Sequence, residues 1–94
     1  MESVWRVLSF SVKRFTVKEI IPLKKELDKY LEEDKFICFD FCKVEYIDNV
    51  MVTTIANLVK KLQKSNGDLK IVNTKSNVTQ KFVSVNLHRL ISIS

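Results

Sequence analysis

The sequence predicts a single α/β domain built on a mostly parallel or mixed sheet. Three observations predict it. Residues 35–41, Lys-Phe-Ile-Cys-Phe-Asp-Phe, are apolar on both parities up to Asp40, the pattern of a strand buried on both faces. Residues 18–33 and 50–65 instead place apolar side chains at helical spacing. A strand, a helix and a strand in succession imply a right-handed crossover, and hence parallel neighbours in the sheet.

The elements follow in order. In residues 4–14, Val4, Arg6, Leu8, Phe10 and Val12 share one parity, so the segment reads as a strand that a bend near Ser9 or Ser11 divides in two. The first helix carries Ile20, Leu23, Leu27, Tyr30 and Leu31 on one stripe. Thr16 and Glu19 have capping-box spacing. Pro22 nevertheless favours a start at Lys18 or later, since a proline past the first turn loses a backbone bond. The doubly apolar strand follows. After a kink at Cys42-Lys43, residues 44–47 form a short extended piece. The second helix, from about Val50 to Ser65, buries Met51, Ile55, Leu58, Val59 and Leu62 and stops at Asn66-Gly67 with a left-handed residue. A strand over Leu69 to Val72, a third helix over 77–86 capped by Ser76, and an extended tail with Ile91 and Ile93 complete the chain.

Composition narrows the function. The 94 residues allow one core, and 46% apolar content is a globular value. No run approaches the length of a membrane span. The start of the chain, with Glu2 and no run of small residues, does not read as a signal peptide, so a cytoplasmic protein is expected. With one glycine there is no phosphate-cradling loop, and no cofactor is expected. Cys38 and Cys42 would lie about 13 Å apart on one straight strand, beyond disulfide reach, and read as buried or half-buried thiols. His88 lies far from them, so no metal site is expected. The net charge of +5 is uneven: residues 1–48 carry nine basic and ten acidic groups, whereas residues 49–94 carry seven basic groups and only Asp68. The basic residues are spread over several elements and do not form a nucleic-acid footprint. His88 has no acid near it in sequence and Asp40 has no second carboxylate at metal spacing. Asp40 reads as an acceptor for a following loop, and no enzyme constellation emerges.

Asp48-Asn49 is the sharpest feature. Either side chain can accept bonds from the free N–H groups of the next helical turn. The same junction is the C-terminal end of a strand entering a helix, the favoured ligand edge of an open α/β sheet. Val50, Met51 and Val52 follow at once, and three apolar residues in one turn cannot all face the core.

These residues carry a family resemblance. The run Asp40-Phe-Cys-Lys-Val-Glu-Tyr-Ile-Asp-Asn-Val-Met-Val52 resembles the central segment of STAS domains, the sulfate-transporter and anti-sigma-factor-antagonist domains. In that family an acid at the strand end and a short link precede Ile-Asp-Ser-Ser-Gly-Leu. Leu69-Lys-Ile-Val-Asn73 resembles the following strand, and Val78 through Ile91 the closing helix, with Asn86-Leu87 where the family often has Gly-Leu. The resemblance implies a four- or five-stranded mixed sheet with helices mainly on one side. It also implies a non-catalytic module that binds a regulatory protein, an anti-sigma factor or serine kinase, and so regulates sigma-dependent transcription. The alternative is a STAS subunit of another signalling or transport complex. Asp48, Asn49, Val50, Met51, Thr53 and Thr54 are the implied partner-binding residues. Asn49 and Val50 stand where the family has its two serines, and Met51 where it has Gly. Val50 occupies the phosphoacceptor position and has no hydroxyl. Thr53 and Thr54 are the hydroxyls that follow within a turn.

Overall fold

A computed structural model describes residues 5–30 and 35–94. Five strands and three helices alternate along them. They are β1 (Arg6–Ser9), β2 (Arg14–Phe15), α1 (Ile20–Asp28), β3 (Phe36–Asp40), β4 (Tyr46–Ile47), α2 (Asn49–Lys64), β5 (Asp68–Val72) and α3 (Ser76–Ser84). Short 3-10 turns occupy Val17–Glu19 and Leu87–Arg89. The expected division of the first strand occurs between Ser9 and Arg14. Leu31 and the last residues expected in the first helix lie outside the described residues.

β1, β3 and β5 form one ladder in that order, and β2 pairs with β4 in a second. Every pairing among the described residues is parallel. The tail extends the first ladder: Ile71 N–H donates to Ser92 O at 3.0 Å, and Ser94 N–H to Ile71 O at 2.9 Å.

Register decides which side chains meet. Leu8 lies beside Phe39 and Phe39 beside Ile71, while Ile37 lies beside Leu69. These residues share one face and form the core with Leu23 and Leu27 of α1, Ile55, Val59 and Leu62 of α2, and Val78 and Phe82 of α3. Phe10, Phe15, Phe39 and Phe41 meet with ring centroids 4.7 to 5.9 Å apart, so aromatic packing fills the centre of this layer.

The other face of the sheet corrects the expectation for residues 35–41. Only Cys38 is buried there, Phe36 is half-buried, and neighbouring Val7 is 56% exposed. Side chains shield this face in part: Trp5 meets Phe36 edge-on at 5.4 Å, and the Lys70 ammonium lies 4.4 Å from the Trp5 ring centre. Phe36 thus packs against the Trp5 ring on this face, and Cys38 is buried beside it. Cys42 is also corrected, being exposed, and both thiols are free.

Helix ends follow local chemistry with two departures, at the start of α3 and the end of α2, while Thr16 lies in the link ahead of a later helix start as Pro22 requires. Pro22 occupies the third position of α1, where its missing N–H breaks no helical bond. Thr16 makes no side-chain cap, and neither does the residue ahead of α3: the N-cap is Lys75 rather than Ser76, with Val78 and Thr79 N–H donating to the Lys75 carbonyl. At the end of α2 the left-handed residue is Asn66, at φ 63°, and not Gly67. Gly67 N–H donates to Leu62 O at 2.8 Å and Asn66 N–H to Gln63 O at 3.2 Å, the paired bonds of a Schellman stop. Glycine is required next to it because a Cβ there would collide with the Lys35 carbonyl and lie 2.9 Å from the Lys35 Cβ. Gly67→Ala is therefore expected to lower stability by about 2 kcal/mol, measured as a shift of the urea midpoint at unchanged slope.

Candidate docking site

The site grows from the β2–β4 ladder. Phe15 lies beside Ile47, and Asp48 N–H donates to Phe15 O at 3.3 Å. Both strands end here and each runs straight into a helical segment. The two segments begin side by side, with their free N–H groups close to one carboxylate.

Asp48 serves both. It is extended, at φ −90° and ψ 167°, as an N-cap requires. Its Oδ1 accepts from Met51 N–H at 2.8 Å, in the first turn of α2. Its Oδ2 accepts from Val17 N–H at 2.9 Å, the first residue of the 3-10 turn leading to α1. The free N–H of Val17 is thus capped by a residue 31 positions later in the chain. Charged-acceptor bonds to backbone N–H groups are the stronger kind, and positive helix ends favour them.

The neighbours divide by direction. Asn49 is exposed, and its Oδ1 lies 3.4 Å from the Lys81 ammonium on α3. Val50 is 51% exposed. Met51 and Val52 are buried. Met51 is therefore a core residue beneath the site, and the expectation that it touches a partner is corrected: its position in the turn aims it inward against the sheet. Thr53 is exposed and Thr54 half-buried, and their hydroxyls donate to Asn49 O at 3.0 Å and Val50 O at 2.8 Å. Thr54 also lines a groove between α1 and α2 with Leu23, Leu27 and Leu58.

Two exposed apolar residues escaped the sequence reading. Val17 is 55% and Ile21 68% exposed. Val17 is bonded to Asp48 through its own N–H, and Val50 lies in the turn of α2 that the same carboxylate caps. The signal was present: Val17, Ile20 and Ile21 crowd one helical start, and only part of such a turn can face the core. The exposed apolar surface is thus assembled from two helix starts.

A second acid braces the same edge of the sheet. Asp40 Oδ1 accepts from Cys42 N–H at 3.0 Å and from the Asn73 amide at 3.1 Å. Asn73 is left-handed, at φ 61°, which turns the chain back over the strand ends. From the next residues Lys75 Nζ reaches Cys42 O at 2.8 Å and Asn77 Nδ2 reaches Glu45 O at 2.6 Å. The β5–α3 link therefore ties down the whole β3–β4 link. The Asn73 amide, followed by the Cys42 N–H, holds the Asp40 carboxyl below its ordinary range. Burial pushes the Cys38 thiol up.

Comparison with known proteins identifies the architecture. The STAS domain family model matches residues 15–94, and the chain belongs to that family of protein-binding modules. No curated protein sequence matches. Among solved structures, the chain is similar to a candidate anti-sigma factor antagonist from Thermotoga maritima, determined at 1.59 Å resolution. The TM-score is 0.80 at 23% identity, over 98% of this chain and 81% of the other, so the likeness is one of fold.

Asp48→Ala is expected to remove two caps at once and to cost about 2 kcal/mol in urea unfolding, with Asp48→Asn recovering part of it. For Asp40 the sign follows from its lowered folded-state pKa. Its contribution to stability is complete above the unfolded value, about 3.9, and is lost as pH falls through the lower folded value. Asp40→Ala should therefore unfold at lower urea than the parent chain at pH 6, with the gap narrowing as the pH falls below the unfolded value of about 3.9.

Proposed function

We propose that this protein is a non-catalytic, cytoplasmic module resembling an anti-sigma factor antagonist. Its Asp48 face captures a regulatory protein, an anti-sigma factor of the serine-kinase type, and so releases a sigma factor for transcription. One observation carries the reading. Val17, Ile21 and Val50 are each more than half exposed, and they lie on the two helix starts that share the Asp48 carboxylate as a cap. Apolar side chains on a pre-ordered platform are favourable anchors, because little freedom remains to be lost on binding.

Membership of the STAS family and the likeness in fold to a candidate antagonist support the choice of partner. Val50 then sets the regulation. A partner docks on it, but no phosphate can be placed on it. The hydroxyls of Thr53 and Thr54 are engaged with carbonyls one turn back. On this reading the module binds its partner constitutively and is controlled by abundance or by another ligand.

The test begins with capture from native lysate and identification by mass spectrometry, followed by titration of the purified partner. An anti-sigma factor is the expected capture, whereas a transporter component would place the module in a different complex. Val50→Asp and Ile21→Asp should each weaken binding by at least tenfold, roughly 1.4 kcal/mol or more, while thermal unfolding stays cooperative. Met51→Asp should instead abolish cooperative unfolding, since it buries a charge. Normal binding by both surface variants would place the docking face elsewhere.

A further inference from the structure

The stop at the end of α2 carries a chemistry of its own. Asn66 is followed by glycine, whereas every other asparagine of the chain precedes valine, leucine or threonine. Asparagine is among the chemically labile residues, and a following glycine, with no Cβ, leaves the next backbone nitrogen unshielded. That nitrogen attacks the asparagine Cγ. A bond forms between them, the Cγ–Nδ2 bond breaks, and ammonia leaves with the proton that the backbone nitrogen gives up. Water then opens the resulting succinimide at either carbonyl. The product is aspartate, or an isoaspartate whose backbone runs through the side chain. The reaction needs only water and the chain itself.

The fold holds back the attacking nitrogen. Gly67 N–H donates to Leu62 O at 2.8 Å, and Asn66, left-handed at φ 63°, donates its own N–H to Gln63 O at 3.2 Å. On the far side Asp68 N–H donates to Lys35 O at 2.8 Å, and the Lys35 carbonyl fills the space where a Gly67 Cβ would stand. Gly67 is thus clamped between the end of α2 and the start of β3. Asn66 is exposed, so water reaches its amide freely. Backbone freedom is what the folded chain denies.

We infer that Asn66-Gly67 is a self-modification site which the folded chain keeps closed, so that the amide is lost from molecules in which the end of α2 has opened. The product does not restore the stop. Isoaspartate inserts a carbon into the backbone between the N–H bonded to Gln63 O and the N–H bonded to Leu62 O, and the two bonds no longer fit together. Aspartate places a negative charge at the negative end of α2. A transient opening is thereby converted into a lasting chemical mark and a less stable chain.

The test incubates the whole chain in mildly alkaline buffer, folded and in guanidinium chloride, and follows intact mass with peptide mapping. The unfolded chain should exchange the Asn66 amide for an acid, and the folded chain should do so slower by about tenfold or more. Asn66→Gly keeps a left-handed residue without the amide, and should fold cooperatively and lose the mass change. Modified chain returned to native buffer should unfold at lower denaturant than the parent. A smaller difference between the two states overturns the proposal. So does a reaction that falls mainly on another asparagine, or an unfolded chain that does not react. If Asn66→Gly does not fold, the peptide map assigns the site alone.

Discussion

One carboxylate organises the face of this protein. Asp48 sits where two parallel strands end together, and its two oxygens each accept a backbone N–H from a different helical start. An amide side chain offers one acceptor oxygen and no charge, whereas a carboxylate offers two oxygens and a charge suited to positive helix ends. The double cap fixes the position of the 3-10 turn ahead of α1 relative to α2. Because the turn of α2 is fixed, Met51 and Val52 face the core and Val50 faces out. Because the first start is fixed, Val17 and Ile21 are presented beside it.

The rest of that sheet edge is held by the same means. Asp40 receives the Cys42 N–H and the Asn73 amide, and Lys75 and Asn77 reach back to carbonyls of the β3–β4 link. The Asn73, Lys75 and Asn77 bonds each tie the β5–α3 link to the end of β3 or the link after it, so the strand ends form a connected rim instead of independent turns. Asparagine recurs where the chain must turn sharply. Asn66, Asn73 and Asn86 all have φ near 60°, a region this chain fills without placing its one glycine there. A platform ordered in this way loses little freedom when a partner lands on it. Val50, at the start of α2, carries no hydroxyl that could take a phosphate.

Much of the fold was legible because local patterns and tertiary packing agree. The helical stripe Met51, Ile55, Val59 and Leu62 is buried as its spacing requires, and the β-α-β alternation yields parallel ladders. The family resemblance was carried by the run from Asp40 to Val52, which lies in the matched segment. The errors share one cause. The run at residues 36–40 read as doubly buried because a strand under helices and a strand under Trp5 and Lys70 show the same apolar alternation. The bond from Asp48 to the Val17 N–H, 31 positions away, was not legible either, because pairing of β2 with β4 brings it about.

The sequence by itself determined the alternation of strands and helices, the core stripes, the absence of a hydroxyl at Val50 and the capping potential of Asp48, because all of these depend on residue type and short spacing. Only the tertiary structure decided which side chains became surface. Val17 and Val50 lie 33 positions apart in sequence and flank one carboxylate because β2 pairs with β4. Met51, adjacent to Val50, is lost to the core because successive residues of a helix point about 100° apart. Burial is a property of which elements pack together, and no local pattern contains it.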